Sequence, residues 1–219
     1  DSRPRLDVVD GPSLEGPRHA TPAMQSSRTQ TFVSVGRPLA GHTVDIVDGD
    51  GQPLPERCTG EIEVSGPSVI DGYWEEPFPA SRLQTGDIGY MAGGELFVTG
   101  RSKDIIIIRG RNLLPSQIEL VVEDAVANGI QNGVAAVGLT SETEATEELH
   151  LLIESREVPP SDAQTAEERI REAVASAFEI GGTCIHWLRK GSIPKTPSGK
   201  IQRSRCRELA REPAGVLVS

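Results

Sequence analysis

The stretch GELFVTGRSKDIIIIRGRN, residues 94–112, marks the change between two kinds of structure in this chain of 219 residues. Its first part, ELFVT, is rich in strand-forming side chains and follows a Gly-Gly pair, which predicts a hairpin with residues 88–91. A short charged segment comes next, and four consecutive isoleucines at 105–108 then precede the turn-like residues RGRN. We therefore expect a domain boundary between residues 102 and 103.

The sequence before this boundary predicts antiparallel sheet. Residues 43–47 and 61–65 alternate apolar and polar side chains, and the turn residues DGDG and two prolines lie between them. This arrangement is typical of a hairpin. Residues 1–30 are rich in Pro, Ser, Gly and Arg and show no sustained periodicity. We expect an irregular connector at 1–30 and a β-rich domain at 31–102.

The sequence after the boundary mixes helices and strands. Ser116 and Glu119 form a capping-box pattern ahead of an apolar stripe, which predicts that a helix begins there. Apolar residues spaced four apart predict a second helix over 162–178. Strands are expected at 134–139, 149–153 and 184–188, with a short basic helix at the end. Residues 103–219 therefore form an α+β domain, and the whole chain belongs to the α+β class.

Composition excludes several classes of protein. With 37% hydrophobic and 25% charged residues, the chain is neither collagen-like nor wholly disordered. Its longest apolar run, 105–108, is far shorter than the roughly 18 residues of a spanning helix, and no signal-peptide pattern opens the chain. We expect a soluble, cytoplasmic protein with no membrane partner and three reduced cysteines. The histidines and cysteines lack metal-ligand spacing, so no metal site is expected.

Positive charge is concentrated near the C-terminal end. The formal net charge is -10, but residues 186–211 contain eight Lys or Arg and one acid. That segment carries +7, which leaves -17 on the remainder. This asymmetry indicates either a local anionic partner or a solvated basic tail, and it does not indicate a nucleic-acid partner.

Three segments contain polar and charged residues that the fold alone does not require. Thr85-Gly86-Asp87 places a carboxylate beside a glycine, which suits either vicinal ribose hydroxyls or an ordinary turn at the start of a strand. Residues 101–104 are a charged cluster that forms part of a site or a solvated linker. In TPSGK, Gly199 permits a sharp bend, and the Lys200 ammonium can neutralise charge on a carboxylate or phosphate oxygen. The spacing of a Walker A loop is absent.

Taken in this order, the three segments resemble the adenylate-forming superfamily, which comprises acyl-CoA synthetases, luciferases and the adenylation domains of peptide synthetases. The resemblance runs over about residues 33–205, through VSVGRPLAGHTVDIVD, LQTGD, GELFVTGRSKDIIIIRGRN, PSQIE and PKTPSGKIQR. Within the superfamily, GRPLAGHTVDIVD, ELFVTGR and SGKIQR are most similar to the fatty acyl-AMP ligases, which hand acyl groups to carrier proteins.

This resemblance implies a role for four residues. Asp87 and Arg101 would contact the ribose, Lys103 would be the hinge of a small lid domain, and Lys200 would support adenylate formation. ATP and Mg²⁺ would be the cofactors, a fatty acid the substrate and an acyl carrier protein the partner. The resemblance also implies a distorted, barrel-like β subdomain that ends the large adenylation domain and is followed by the small α+β C-terminal lid.

The resemblance further implies that the chain is the C-terminal portion of a larger enzyme. In the family, the phosphate loop, the adenine-binding segment and most of the acyl pocket precede the matching region, so the isolated chain is expected to be inactive. An acyl-CoA ligase or a peptide-synthetase adenylation domain is the nearest alternative and differs in the acceptor thiol. A non-catalytic module that docks a carrier protein through its basic face is a further alternative.

Overall fold

In the computed structural model the chain divides into two compact units, Asp1–Lys103 and Asp104–Ser219. The division lies one residue beyond the boundary expected from the sequence. The structure describes residues 4–15, 19–24, 28–70, 72–73, 76–77, 82–126, 133–141, 146–156 and 160–211.

The first unit is built on a six-stranded antiparallel sheet. Its strands, in chain order, are β1 (Leu6–Asp10), β2 (Thr29–Gly36), β3 (Thr43–Val47), β4 (Gly60–Ser65), β7 (Arg82–Ala92) and β8 (Glu95–Arg101), with a separate short pair, β5 (Gly72–Tyr73) and β6 (Glu76–Pro77). The spatial order is β1-β2-β8-β7-β4-β3. No pairing between the described residues of β1 and β3 closes this sheet. The β-rich subdomain is thus confirmed, and its barrel-like closure is corrected to an open sheet.

Both hairpins expected in the first unit are confirmed. Strands β3 and β4 pair from Thr43 opposite Ser65 to Val47 opposite Glu61. Strands β7 and β8 are joined by Gly93 and Gly94, whose φ angles are 61° and 75°. A two-residue turn of type I′ requires two consecutive residues in the left-handed conformation, and glycine adopts this conformation at little cost.

Residues 1–30 differ from the irregular connector expected there, because they contain β1. This strand pairs with β2 from Leu6 opposite Val33 to Asp10 opposite Thr29. Asp7 accepts a hydrogen bond from the buried Tyr90 hydroxyl at 2.7 Å and pairs with Arg57 at 2.8 Å. Contacts with residues 50 and 83 positions away therefore stabilise a strand that has little local signal of its own.

The second unit combines two helices on one face of a sheet with a third helix on the other. Its elements are β9 (Ile106–Ile108), β10 (Arg111–Leu113), α1 (Pro115–Ala125), β11 (Val134–Thr140), β12 (Glu147–Ser155), α2 (Ala163–Phe178), β13 (Cys184–Arg189) and α3 (Arg203–Arg211). Strand β12 is central, antiparallel to β11 and parallel to β13. Helix α2 connects the parallel pair, as the crossover of a parallel pair usually does. The α+β class is confirmed.

Each face of this sheet has its own apolar core. Leu149, Leu151 and Ile153 of β12 pack with α1, α2 and the β9–β10 hairpin. Leu152 points to the opposite face and packs with α3 through Cys206. Because side chains alternate along a strand, adjacent residues of β12 serve different cores. This explains why 151–153 read as a continuous apolar run.

The capping box expected at the start of α1 is wrong. The helix begins at Pro115 with Leu114 as the N-cap residue, and no side chain caps it. Proline suits the first helical position because its missing N–H would have had no helical partner. Glu119 is used elsewhere: it accepts the Ala136 N–H at 3.0 Å and pairs with Arg203.

Candidate functional site

The segment Thr85-Gly86-Asp87 forms a bulge in β7. Glu61 and Glu63 of β4 pair with Ile88 and Gln84, so the three residues of the segment stand opposite the single residue Ile62. Gly86 has a φ of 72°, which a side chain would make unfavourable. The Thr85 hydroxyl donates to the Ile62 carbonyl at 2.9 Å and accepts the Asp87 N–H at 3.1 Å. The bulge therefore satisfies the backbone groups that it removes from the ladder.

This bulge sets the position of Asp87 opposite Arg101 of β8. The two residues are partners in the β7–β8 register. Nε of Arg101 lies 3.1 Å from Oδ1 of Asp87, and the side chains are 57% and 33% exposed. Within the part of the chain that the structure describes, Oδ2 of Asp87 and the terminal guanidinium nitrogens of Arg101 have no other side-chain partner. A carboxylate that accepts and a guanidinium that donates hydrogen bonds suit a pair of hydroxyl groups.

A second irregularity lies beside this pair in β8. Ile88 pairs with Gly100 and Gly89 pairs with Val98, so Thr99 is the extra residue of a bulge. The Thr99 hydroxyl donates to the Ile88 carbonyl at 3.2 Å. Two neighbouring bulges with threonine hydroxyls therefore frame the Asp87–Arg101 pair, and a bulge changes the direction of the side chains beside it.

Lys103 lies directly after β8, at the division between the two units. It is the central residue of a 3₁₀ turn, Ser102–Asp104, and its side chain is exposed. The Ser102 hydroxyl donates to the Gly86 carbonyl at 3.3 Å, which ties the start of the turn to the bulge in β7. The structure places Lys103 where two compact units meet along the chain, and its role as a hinge stays a prediction.

Lys200 lies in the second unit, on a tight hairpin between β13 and α3. The Gly199 N–H donates to the Thr196 carbonyl at 2.8 Å, with Pro197 at the first corner. Gly199 is left-handed, with a φ of 83°, and Lys195 then pairs with Ile201. This is a type I turn followed by a left-handed glycine, one of the frequent short hairpin loops. Lys200 is exposed at the end of a turn whose backbone is constrained by hydrogen bonds.

Buried acidic residues hold both ends of this hairpin in place. Glu154, which is 2% exposed, accepts the Ile193 N–H at 2.7 Å just before the hairpin. After it, Arg203 donates to both carboxylate oxygens of Glu119, at 2.7 and 2.9 Å. Burial raises the pKa of Glu119 and outweighs the opposite effects of the Arg203 charge and the Ala136 N–H. The Lys200 loop is thus attached to the sheet and to α1.

The structure brings together two of the four predicted site residues. Asp87 and Arg101 form an ion pair, Lys103 follows them along the chain, and Lys200 belongs to the other unit. The sequence alone does not reveal a cluster of histidine and cysteine side chains in the second unit, because its members come from two strands more than 30 residues apart. No helix in the described part of the chain is long and apolar enough to cross a bilayer.

Known proteins with similar sequences and structures support one family. The AMP-binding enzyme family matches residues 15–74. The medium-chain-fatty-acid--[acyl-carrier-protein] ligase JamA of Moorena producens is 37% identical over 215 residues, covering 85% of this chain and 34% of the relative. The curated relatives that the chain matches are about three times as long, since it spans between 34% and 38% of them.

Solved structures give the same result. A structure from a study of fatty acyl-adenylate ligases of E. coli and L. pneumophila has a TM-score of 0.81 and 32% identity, covering 97% of this chain and 39% of that one. The McyG A-PCP structure, complexed with phenylalanyl-adenylate, has a TM-score of 0.69 and 33% identity, covering 83% of this chain and 34% of that one. The chain belongs to the adenylate-forming, AMP-binding enzyme family and spans about a third of the length of its relatives.

Proposed function

We propose that this chain is the C-terminal portion of an ATP-dependent fatty acyl-AMP ligase. The complete ligase joins a fatty acid to AMP and then transfers the acyl group to the phosphopantetheine thiol of an acyl carrier protein. The Asp87–Arg101 ion pair carries this proposal, because two bulges present a half-exposed carboxylate and an exposed guanidinium whose remaining hydrogen-bonding groups pair with no other described residue. The similarity to an acyl-carrier-protein ligase and to fatty acyl-adenylate ligases supports the choice of substrate and acceptor.

In this proposal the two units have different tasks. Residues 31–102 end the large adenylation domain, and Asp87 and Arg101 hold the ribose hydroxyls of ATP. Residues 103–219 are a lid that turns about Lys103. The lid places Lys200 near the reacting groups in one position and removes it in another. An exposed lysine on a constrained turn is suited to this task, because its ammonium can approach an anion without rearrangement of the loop.

The first half-reaction is an attack of the fatty acid carboxylate on the α-phosphorus of ATP, which releases pyrophosphate. The Lys200 ammonium stabilises the negative charge on the reacting oxygens, as preorganised charges do in phosphoryl transfer. In the second half-reaction a thiol attacks the acyl carbonyl and AMP leaves. Magnesium supplies charge neutralisation on the phosphates. The resemblance implies that ATP and magnesium bind mainly through the part of the enzyme that precedes the matching region, so we assign magnesium no ligand in this chain.

Two mutations in the complete ligase test the assignment of Lys200. Lys200→Ala should slow adenylation by roughly 10²- to 10³-fold, the usual cost of one preorganised donor, and should spare transfer from preformed acyl-adenylate. Lys190→Ala removes another exposed lysine of the same unit and should leave both steps unchanged. Pyrophosphate release measures the first step, and loading of the carrier protein measures the second. Unchanged adenylation in Lys200→Ala would contradict the proposal.

The acceptor and the isolated chain provide further tests. A ligase of the proposed kind loads a carrier protein faster than it forms acyl-CoA, whereas faster reaction with CoA would favour the acyl-CoA ligase alternative. The 219-residue chain alone should release no pyrophosphate from ATP and a fatty acid above the uncatalysed rate. The docking-module alternative predicts that a carrier protein binds without any dependence on ATP. Such binding to this chain, with no requirement for ATP in the complete protein, would favour that alternative.

A further inference from the structure

Four side chains with metal-binding chemistry lie on one face of the sheet in the second unit. Glu148 and His150 belong to β12, and Cys184 and His186 belong to β13. In the parallel register His150 is paired with Cys184, which lies two positions before His186. Because alternate residues of neighbouring strands share a face, all four project from the same side of the sheet, the side that also carries Leu152.

The potential ligand atoms are close to one another. One carboxylate oxygen of Glu148, one ring nitrogen of His150 and Sγ of Cys184 all lie within 4.8 Å of each other. Nδ1 of His150 lies 2.9 Å from Nε2 of His186, and the two rings stack with a centroid distance of 5.2 Å. The Ser141 hydroxyl donates to Oε1 of Glu148 at 2.7 Å and holds that carboxylate at the edge of the group.

The contact between the two histidine rings bears on which nitrogen of His150 can bind a metal. This contact engages Nδ1 of His150 and needs one N–H and one lone pair. In the tautomer in which Nδ1 of His150 donates its N–H to Nε2 of His186, Nε2 of His150 keeps its lone pair and can bind a metal. A metal-bound histidine commonly has its second nitrogen held by a neighbouring group in this way.

We propose that Glu148, His150 and Cys184 form a binding site for a transition-metal dication of the zinc type, with His186 as the positioning residue of His150. One carboxylate, one imidazole and one thiolate are ligands that Zn²⁺ accepts, and three protein ligands leave a fourth position for water. Mg²⁺ is excluded by this ligand set, because it prefers oxygen ligands throughout. The site is separate from the ATP chemistry of the proposed function, and neither depends on the other.

Binding a metal here would join the beginnings of β12 and β13. These paired parallel strands are joined along the chain by the α2 crossover, so a metal would add a second link between residues 34 positions apart in the sequence. The Cys184 thiol would lose its proton on binding, since a metal-bound thiol is a thiolate. Half-buried His150 and Cys184 and exposed Glu148 leave the site accessible from one side.

Cobalt titration of the reduced, metal-free 219-residue chain tests this site directly. One equivalent of Co²⁺ should produce ligand-field absorption in the visible region and a thiolate-to-cobalt charge-transfer band in the near ultraviolet. Cys184→Ser should abolish the charge-transfer band, and Cys58→Ser, which removes another half-buried thiol, should retain it. His186→Gln should weaken binding by roughly 10- to 100-fold while the charge-transfer band persists at saturation.

A measurement on the unmutated chain covers the case in which a variant does not fold. Alkylation of each cysteine is followed by mass spectrometry with and without metal. Zn²⁺ should slow alkylation of Cys184 at least tenfold, should leave Cys58 unchanged, and Mg²⁺ should protect neither. Equal alkylation of Cys184 with and without Zn²⁺, a cobalt spectrum without a thiolate band, or a thiolate band that disappears in Cys58→Ser would overturn the proposal.

Discussion

Replacing Glu119 with alanine should destabilise the second unit strongly. Its carboxylate joins three elements: it lies on α1, accepts the N–H of Ala136 in β11 and binds Arg203 at the start of α3. The two side chains are 12% and 16% exposed. Glu119→Ala therefore leaves a largely buried guanidinium without its counter-charge and a buried N–H without its acceptor.

The size of the effect follows from this burial. Loss of one partner from a buried ion pair costs about 3–5 kcal/mol, which is a large part of the about 5–15 kcal/mol that stabilises a typical domain. The pair Glu167–Arg171 on α2, in which the arginine is exposed, provides the control. Arg171 is 48% exposed and lies one helical turn from its partner, so Arg171→Ala should cost only about 0.3–0.5 kcal/mol.

Urea unfolding followed by tryptophan fluorescence measures both variants. The chain contains two tryptophans, and Trp187 is the one in the second unit, 5% exposed, with its indole N–H donated to Glu167 at 3.0 Å. In a Trp74→Phe background the fluorescence reports the second unit alone. The free energy of unfolding in water then comes from linear extrapolation.

A double variant separates the charge from the packing. Glu119→Leu with Arg203→Met removes both charges and should lose less stability than Glu119→Ala, since burial already disfavours the ionised carboxylate and raises its pKa. A loss below about 1 kcal/mol in Glu119→Ala would refute the reasoning. So would a double variant less stable than Glu119→Ala.

Three further predictions concern other parts of the chain. Burial and a carboxylate neighbour raise the pKa of Tyr90 above its usual value of 10.0. The unfolded chain therefore loses this proton at a lower pH than the folded chain, and the free energy of unfolding should fall as the pH rises above about 10. In an absorbance titration, one tyrosine should ionise only on unfolding. Gly89→Ala would place a Cβ 2.4 Å from the Phe97 carbonyl oxygen and should cost about 1–3 kcal/mol by urea unfolding. Gly49→Ala, with nothing within 4 Å of the new Cβ, should be close to neutral for stability. Equal losses of stability in the two variants would contradict the close approach of Gly89 to Phe97. In the complete ligase, Lys103→Pro should impair one half-reaction more than the other, because proline fixes φ, and equal effects on both would count against the hinge.

Elements with a strong local pattern could be predicted from the sequence. Helix α2 extends from Ala163 to Phe178 and buries Ile170 and Val174, as the four-residue spacing indicates. The Gly93–Gly94 turn follows from the preference of a two-residue hairpin for left-handed residues. The motifs around Asp87, Arg101 and Lys200 likewise indicate the family without knowledge of the fold.

Other features depend on partners that are distant in sequence. Glu119 has the spacing from Ser116 that a capping box requires. In the structure its carboxylate instead accepts the N–H of Ala136 and pairs with Arg203. Strand β1 has a weak local pattern and depends on contacts of Asp7 with residues far along the chain. A carboxylate takes the strongest partners available in the folded chain, and spacing within one segment does not reveal those partners.

The sequence by itself determined the α+β class, the family and the turn chemistry, because these rest on periodicity and on residues that are neighbours along the chain. Only the tertiary structure decided that the sheet of the first unit is open, that a bulge sets Asp87 against Arg101, and that His150 meets Cys184 and His186. Strand order and register join residues tens of positions apart. The free energy that stabilises one strand order and register comes from burial and strand pairing across the whole unit. No local segment contains these contacts.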